Sequence, residues 1–329
     1  MVKGMDDLLA GLRAAAEPTR LRLLALCAHA ELTVSELTQI LGQSQPRVSR
    51  HLKLLCEAGL LDRFREGTWV FYRLAQRGAG AELTRTIIDQ VPPEDATLAR
   101  DLARLEDVRR ARAESAAAYF RANAPRWDRI RSLHIDDAEV ERRLLDMLPR
   151  EGIEDLLDIG TGTGRMLELF AGRAKRAVGI DMSREMLAVA RTNLDKAGLR
   201  HCLVRQGDMY QLPLPDQSFD AVIIHQVLHY ADEPAEAIEE AARVLKPGGR
   251  LIVVDFAPHE LENLRSEHAH RRLGFRDDEI AGWAKAAGLE ADPVVHLAGK
   301  ALTVGIWRAI RRVPGAARLA AQRAEGRKR

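Results

Sequence analysis

The stretch that most constrains this chain is Leu156-Leu157-Asp158-Ile159-Gly160-Thr161-Gly162-Thr163-Gly164, with Val178-Gly179-Ile180-Asp181 following it. An apolar strand runs into a glycine-rich turn, then a helix, then a second strand that ends in an acid. Glycines let backbone approach a ligand closely, and an acid at the next strand end accepts hydrogen bonds from ribose hydroxyls. That order builds a nucleotide-sized pocket and commits the surrounding chain to alternating strands and helices.

The alternation runs to about Trp307. The strand candidates are Asp155–Ile159, Ala177–Asp181, His201–Gln206, Phe219–His225, Arg250–Phe256, Ala291–Leu297 and Leu302–Arg308. Such a series predicts an α/β domain with a doubly wound, mostly parallel sheet.

A different pattern precedes it. From Asp6 to about Tyr72 the order is helix, helix, short helix, helix, hairpin. Glu17-Pro18-Thr19-Arg20 opens a helix whose apolar face is Leu21, Leu23, Leu24 and Leu26. Thr33 reads as an N-cap with Glu36 completing a capping box, and Gly42 stops that helix. Ser44 caps the next helix, which carries Val48, Leu52, Leu55 and Ala58 on one side. Leu60–Phe64 and Trp69–Leu74 alternate around Glu66-Gly67-Thr68 as a hairpin. Helices over Ala79–Gln90 and Asp95–Asn123 follow, and Ala124-Pro125 ends the second. The expected domains are a mostly α-helical winged helix-turn-helix over 1–91, a helical linker over 92–125, the α/β domain over 126–310, and a basic, flexible tail over 311–329.

Lys and Arg number 50 against 48 Asp and Glu, so the 329-residue chain is no polyelectrolyte and any nucleic-acid contact must be local. One segment is locally basic. Between Arg47 and Arg77 stand Arg47, Arg50, Lys53, Arg63, Arg65, Arg73 and Arg77, against Glu57, Asp62 and Glu66. A short helix followed by a basic one is a helix-turn-helix. Gln45, Arg47, Ser49, Arg50 and Lys53 would then meet base edges or phosphates, and Arg63, Arg65 and Arg73 would reach phosphates as a wing. The alternative is a helical domain with a solvated basic face. Cys27, Cys56 and Cys202 lie far apart, which predicts neither disulfide framework nor zinc knuckle and points to a reducing cytoplasm. The start does not read as a signal peptide, and no apolar run reaches the roughly 18 residues of a membrane helix.

Glu17-Pro18-Thr19-Arg20-Leu21-Arg22-Leu23-Leu24, Leu32-Thr33-Val34-Ser35-Glu36-Leu37 and Ser44-Gln45-Pro46-Arg47-Val48-Ser49-Arg50-His51-Leu52 resemble the ArsR/SmtB family of winged-helix repressors over roughly residues 6–90. The resemblance implies a homodimer reading a palindromic double-stranded operator. The family's arsenic sensors carry Cys-x-Cys where this chain has Thr33-Val34-Ser35. Hydroxyls are poor ligands for thiophilic ions, so no metal site is expected.

Asp158-Ile159-Gly160-Thr161-Gly162-Thr163-Gly164 resembles motif I of class I methyltransferases, with an acid before the first glycine. A lone glycine-rich turn also occurs in dinucleotide oxidoreductases. An acid there suits an ammonium group better than a pyrophosphate. The resemblance runs over about residues 113–298 and is closest to the branch holding the ubiquinone/menaquinone-biosynthesis methyltransferases. It implies a Rossmann-like seven-stranded sheet with the last strand antiparallel, and S-adenosylmethionine or S-adenosylhomocysteine as ligand. The residues it assigns to that ligand are Asp158, Gly160, Thr161, Gly162, Gly164, Asp181, Met182, Asp208, Met209 and His225. His225, His229 and Tyr230 are candidates on the acceptor side, with structural roles as the alternative. Tyr119, Phe120 and Trp127 either lid the cofactor or pack the core. The combined expectation is a DNA-binding regulator whose second domain senses a small molecule. The runner-up is an active small-molecule methyltransferase with an autoregulatory DNA-binding domain.

Overall fold

A computed structural model describes residues 4–66, 69–75, 78–92, 94–124, 137–299 and 301–313. Contacts divide the chain into two units, Met1–Ser115 and Ala116–Arg329. Arg77, Trp127 and the turn residues Gly67 and Thr68 lie outside the described residues.

The first unit holds α1 (Met5–Ala15), α2 (Pro18–His29), β1 (Leu32–Thr33), α3 (Val34–Leu41), α4 (Gln45–Glu57), β2 (Leu61–Glu66), β3 (Trp69–Leu74), α5 (Ala79–Asp89) and the first part of α6 (Ala96–Asn123). The apolar faces read from sequence meet in one core, where Leu23, Leu24, Leu26, Leu37, Ile40, Leu52 and Leu55 are fully buried. The hairpin β2–β3 gains a third, two-residue strand, β1, on which Leu32 pairs with Tyr72 and Thr33 with Phe71. Thr33 and Glu36 form the capping box, with Thr33 N–H donating to Glu36 Oε2 at 2.8 Å. Ser44 is the N-cap of α4 by position, but its hydroxyl makes no capping bond. The physical reason is Pro46: it removes the second-position N–H, and Arg47 N–H bonds the Ser44 carbonyl instead.

The opening half of α6 packs into this same core. Leu105 and Val108 are buried there, and Arg104 Nη1 donates to the Ile40 carbonyl at 2.9 Å. Asp101, 1% exposed, takes a forked pair of bonds from Arg22 at 2.5 and 2.7 Å. Such a fork satisfies both carboxylate oxygens, without which the buried acid would be costly.

The second unit holds α7 (Asp137–Met147), β4 (Ile153–Ile159), α8 (Arg165–Phe170), β5 (Ala174–Asp181), α9 (Arg184–Lys196), β6 (Cys202–Gln206), β7 (Phe219–His225), α10 (Pro234–Val244), β8 (Leu245–Phe256), α11 (Asn263–His268), α12 (Asp277–Ala286), β9 (Leu289–Ala291), β10 (Val295–Ala298) and β11 (Thr303–Arg311). The sheet order is β10-β11-β8-β7-β4-β5-β6, with β9 also paired to β11. The strands from β4 to β8 pair in parallel, and β11 runs antiparallel to β8. Alternate residues feed two layers. Leu156, Ile223 and Ile252 enter one, while Leu157, Val222 and Leu251 enter the other. The result is the expected Rossmann-like mixed α/β fold.

Two details differ from the sequence reading. The strand expected over Ala291–Leu297 is broken into β9 and β10, so among the described residues eight strands fill seven positions. Pro293 has no N–H to give the ladder, and Asp292 N–H turns to the Arg308 carbonyl at 2.8 Å. The strand expected from Arg250 begins at Leu245, because a register shift between Phe219 and Ala221 absorbs Lys246 to Gly249.

Candidate functional site

β4 lies between β5 and β7, so the strand order reverses there. A crevice at the carboxyl ends of such strands is where open α/β sheets bind ligands. The glycine turn sits at this edge. Gly160, Gly162 and Gly164 have φ of +71°, +52° and +86°, a region that side chains disfavour. A Cβ on Gly160 would also stand 2.3 Å from Val227 Cγ2, so the loop after β7 is packed directly on the turn.

The turn is tied to the end of β5. Gly160 and Thr161 N–H both donate to the Ile180 carbonyl, at 2.7 and 3.0 Å. Asp181 Oδ2 accepts from Gly162 N–H at 2.8 Å, and its Oδ1 accepts from Ser183 N–H at 2.8 Å. Burial pushes the Asp181 carboxyl above the usual range, against the lowering effect of the Ser183, Gly162 and Met182 N–H groups. Asp158 is buried at the end of β4. Thr161 is buried too, and its Oγ1 has no hydrogen-bond partner among the described residues. Gly207 N–H donates to the Asp181 carbonyl at 3.1 Å, which brings the segment after β6 alongside. There Asp208 is exposed and Met209 half-buried; Asp208 Oδ1 accepts from Tyr210 N–H at 2.9 Å. Met182 is exposed, and His225 is buried at the end of β7, beside the end of β4. The residues assigned to a ligand from sequence therefore gather at one edge of the sheet. His229 and Tyr230 form a short 3₁₀ turn just beyond β7.

Three residues were given no role of their own from the sequence, although Gln226 and Val227 fall in the segment His225-Gln226-Val227-Leu228-His229 that the methyltransferase resemblance marks for ligand contacts. Gln226 adopts φ +55° without being glycine, and its buried side-chain Nε2 has no partner among the described residues. Left-handed backbone is uncommon for a residue other than glycine, and Gln217 and Ala269 share it; nothing in a single sequence signals it. Val227 closes onto Gly160. Asp255 is fully buried near the end of β8 and bonds His229. Its signal was present, since an acid ends an apolar strand there just as Asp181 does. A separate apolar cavity of about 110 Å³, lined by Ile238, Val253, Ile280 and Trp307, includes none of these residues.

In the first unit, α4 turns Val48, Leu52 and Leu55 inward and leaves Gln45, Arg47, Arg50 and Lys53 exposed, with Ser49 half-buried. Arg63 and Arg65 are exposed on β2. Arg73 differs: it pairs with Glu31 at 3.0 Å and lies 4.8 Å over the Phe64 ring, so the fold already holds it. Burial pushes the Cys27 thiol strongly upward and Cys56 up to about 11, which keeps both protonated and poor as ligands near neutral pH. Among the described residues no group of three or more His, Cys, Asp or Glu side chains is placed to hold a metal ion, and no helix is long and apolar enough to cross a membrane.

Comparison with known proteins assigns a class to each unit. Residues 17–63 match the family model "Bacterial regulatory protein, arsR family", and residues 157–253 match "Methyltransferase domain". The chain thus carries an arsR-family helix-turn-helix and a methyltransferase domain. Among individual proteins, it is 36% identical over 143 residues to a demethylmenaquinone methyltransferase of Thermus thermophilus, spanning 42% of this chain and 64% of that protein. It is 40% identical over 150 residues to an uncharacterized methyltransferase of Mycobacterium tuberculosis, spanning 46% of this chain and 53% of that protein. The chain therefore spans about half to two thirds of the length of these relatives. The crystal structure of the YcgJ protein from Bacillus subtilis aligns with a TM-score of 0.49 at 20% identity, covering 54% of this chain and 99% of that one.

Proposed function

We propose that the chain is a DNA-binding transcription regulator whose methyltransferase domain takes up S-adenosylmethionine or S-adenosylhomocysteine and thereby sets operator affinity. The observation that carries this reading is the joining of an arsR-family helix-turn-helix to a methyltransferase domain in one chain. α6 supplies both units with packed residues, Leu105 and Val108 in the first and Tyr119 and Phe120 in the second.

The residues at the sheet edge fit such a ligand. Asp181 offers a half-buried carboxylate for ribose hydroxyls, and Asp158 offers a buried acid for an ammonium group. The left-handed glycines leave backbone room, and the Thr161 hydroxyl is a buried polar atom suited to a ligand partner. Asp208, Met209, Met182 and His225 complete the proposed contacts, with the ligand supplying a methyl group on a sulfonium. Gln226 joins them. Gln226→Gly should keep folded stability within about 1 kcal/mol, since glycine accepts the left-handed backbone. It should lower affinity for S-adenosylhomocysteine roughly three- to tenfold, the worth of one hydrogen bond. Thermal unfolding and calorimetry read the two effects, and equal affinity would remove Gln226 from the site.

On DNA the proposed contacts are Gln45, Arg47, Ser49, Arg50, Lys53, Arg63 and Arg65, on a homodimer in the cytoplasm. Met5, Leu9 and Leu12 on α1 are 70%, 37% and 43% exposed and share a face at helical spacing, which supports a self-association surface. Sedimentation showing only monomers at operator-binding concentrations would contradict the dimer. Operator titration with each cofactor form tests the regulator reading as a whole. A second reading, an active small-molecule methyltransferase, is favoured by one observation, the buried His229–Asp255 pair.

A further inference from the structure

We propose that His229, held by Asp255, is the general base for a methyl acceptor whose reacting group is an aromatic hydroxyl. The inference rests on the reading of the second unit as a site for S-adenosylmethionine and deepens its enzyme form.

His229 lies in the 3₁₀ turn Leu228–Tyr230 after β7, and Asp255 is the penultimate residue of β8. β7 and β8 are neighbours, with His225 beside Val254, so the two strand ends deliver both side chains to the same place. His229 Nδ1 is 2.8 Å from Asp255 Oδ1. His229 N–H donates to Asp255 Oδ2 at 3.2 Å, and Phe256 N–H donates to Oδ1 at 2.8 Å. Asp255 is 0% and His229 2% exposed.

A fully buried carboxylate with no Lys or Arg partner among the described residues must draw on hydrogen-bond donors. It therefore holds the proton on Nδ1 and leaves the lone pair on Nε2, the tautomer a general base needs. Among the described residues none hydrogen-bonds to Nε2. A core histidine satisfied by one acid would have the same Nδ1 contact. The location separates the two cases: the pair sits at the carboxyl edge of the sheet, two residues from Val227, which packs on the glycine turn at Gly160.

The surroundings select the acceptor. The rings of Tyr230 and His270 lie 4.1 Å from the His229 ring, and Phe256 lies at 5.1 Å. Phe120 in turn lies 4.7 Å from Tyr230. Flat ring faces of this kind favour a planar aromatic guest. The nearby Arg271 is paired with Asp232 at 2.7 Å, so its charge is already balanced. Burial, with Tyr119 and Asp255 nearby, raises the Tyr230 hydroxyl well above its ordinary range, so it stays protonated and does not compete as the base.

A phenol is ionised to only about one part in a thousand at neutral pH, so removing its proton is a real barrier. In the proposed step the aromatic O–H proton moves to His229 Nε2. The freed oxygen pair bonds the methyl carbon, the C–S bond breaks with its electrons going to sulfur, and the imidazolium later returns its proton to water. Asp255 is a positioning residue: it fixes the tautomer and stabilises the imidazolium.

The test uses the full chain, saturating S-adenosylhomocysteine so that no transfer occurs, and 4-nitrophenol as probe. The visible absorbance of the bound probe reports phenolate directly. Held near pH 6, below the probe's own pKa, the parent is expected to raise the bound phenolate-to-phenol ratio roughly tenfold over buffer, the effect of about one pKa unit. His229→Gln should remove the increase and return the ratio to its value in buffer. Asp255→Asn should do so as well, because an amide N–H facing Nδ1 inverts the tautomer. Calorimetry should show both variants binding S-adenosylhomocysteine as the parent does. Failure of the parent to bind S-adenosylhomocysteine would overturn the underlying reading. If it binds, then no binding of the probe, binding without increased ionisation, or an increase that survives His229→Gln each overturns the base alone.

Discussion

Asp181→Ala is expected to lower affinity for S-adenosylmethionine between about tenfold and a hundredfold, the largest single-residue effect in the second unit. The carboxylate does two jobs. It pins the glycine turn by accepting from Gly162 and Ser183 N–H, and in the proposed site it also accepts from the ribose hydroxyls. A hydrogen bond to a charged partner contributes about 1.5–3 kcal/mol, which is roughly a factor of ten to 150 in affinity. Asp181→Asn should fall between parent and alanine variant, because one end of an amide must face an N–H donor with another donor. The pH response carries a sign. The Asp181 carboxyl sits above its usual range, so protonation sets in earlier as pH falls and removes an acceptor from the ribose hydroxyls. Parent affinity should therefore weaken on acidification at a pH above the ordinary carboxylate range, and Asp181→Asn should lack that step. Calorimetry across pH checks both; an alanine variant that binds like the parent would remove Asp181 from the pocket.

Replacing Arg47 and Arg50 together by alanine should weaken binding to an operator duplex selected from random DNA by more than a hundredfold. Both side chains are exposed on the polar face of α4, and a dimer presents each twice. A good bidentate contact to a base is worth about 1–3 kcal/mol. The salt dependence then assigns the role of each arginine. Losing one phosphate contact per protomer removes two per dimer and flattens the log–log salt slope by about 1.8. Losing a base contact leaves the slope and relaxes sequence preference. Cofactor affinity should not change in either single variant. Unchanged mobility shifts in both would remove α4 from the interface.

Much of this was legible in the chain because local rules act on adjacent residues. Left-handed backbone at Gly160, Gly162 and Gly164 demands glycine at alternate positions, so the turn announces itself. Thr33 and Glu36 satisfy each other within one helical turn. The break at Asp292-Pro293 was visible as a proline inside an apparent strand. The Ser44 cap failed through Pro46, two residues on. What stayed hidden depends on partners far apart in sequence. Asp101 looks like a solvated charge on α6 until Arg22, 79 residues away, closes on it. His229 and Asp255 meet across 26 residues only because β7 and β8 are neighbours. Gln226 is marked by its backbone conformation and not by its identity.

In the proposed regulator the methyltransferase domain reports to the helix-turn-helix. A ligand can shift DNA affinity only as far as it binds two conformations differently. The two cofactor forms differ by one methyl group and one positive charge, which in the proposed site lie near Asp158. Labelled operator should be titrated with the full chain in saturating S-adenosylmethionine, in saturating S-adenosylhomocysteine, and with neither. One form should move the midpoint by roughly five- to 150-fold, and operator DNA should change the affinity for that same form by the same factor. Three superimposed titration curves, with both cofactor forms shown to be bound, would contradict the proposed coupling.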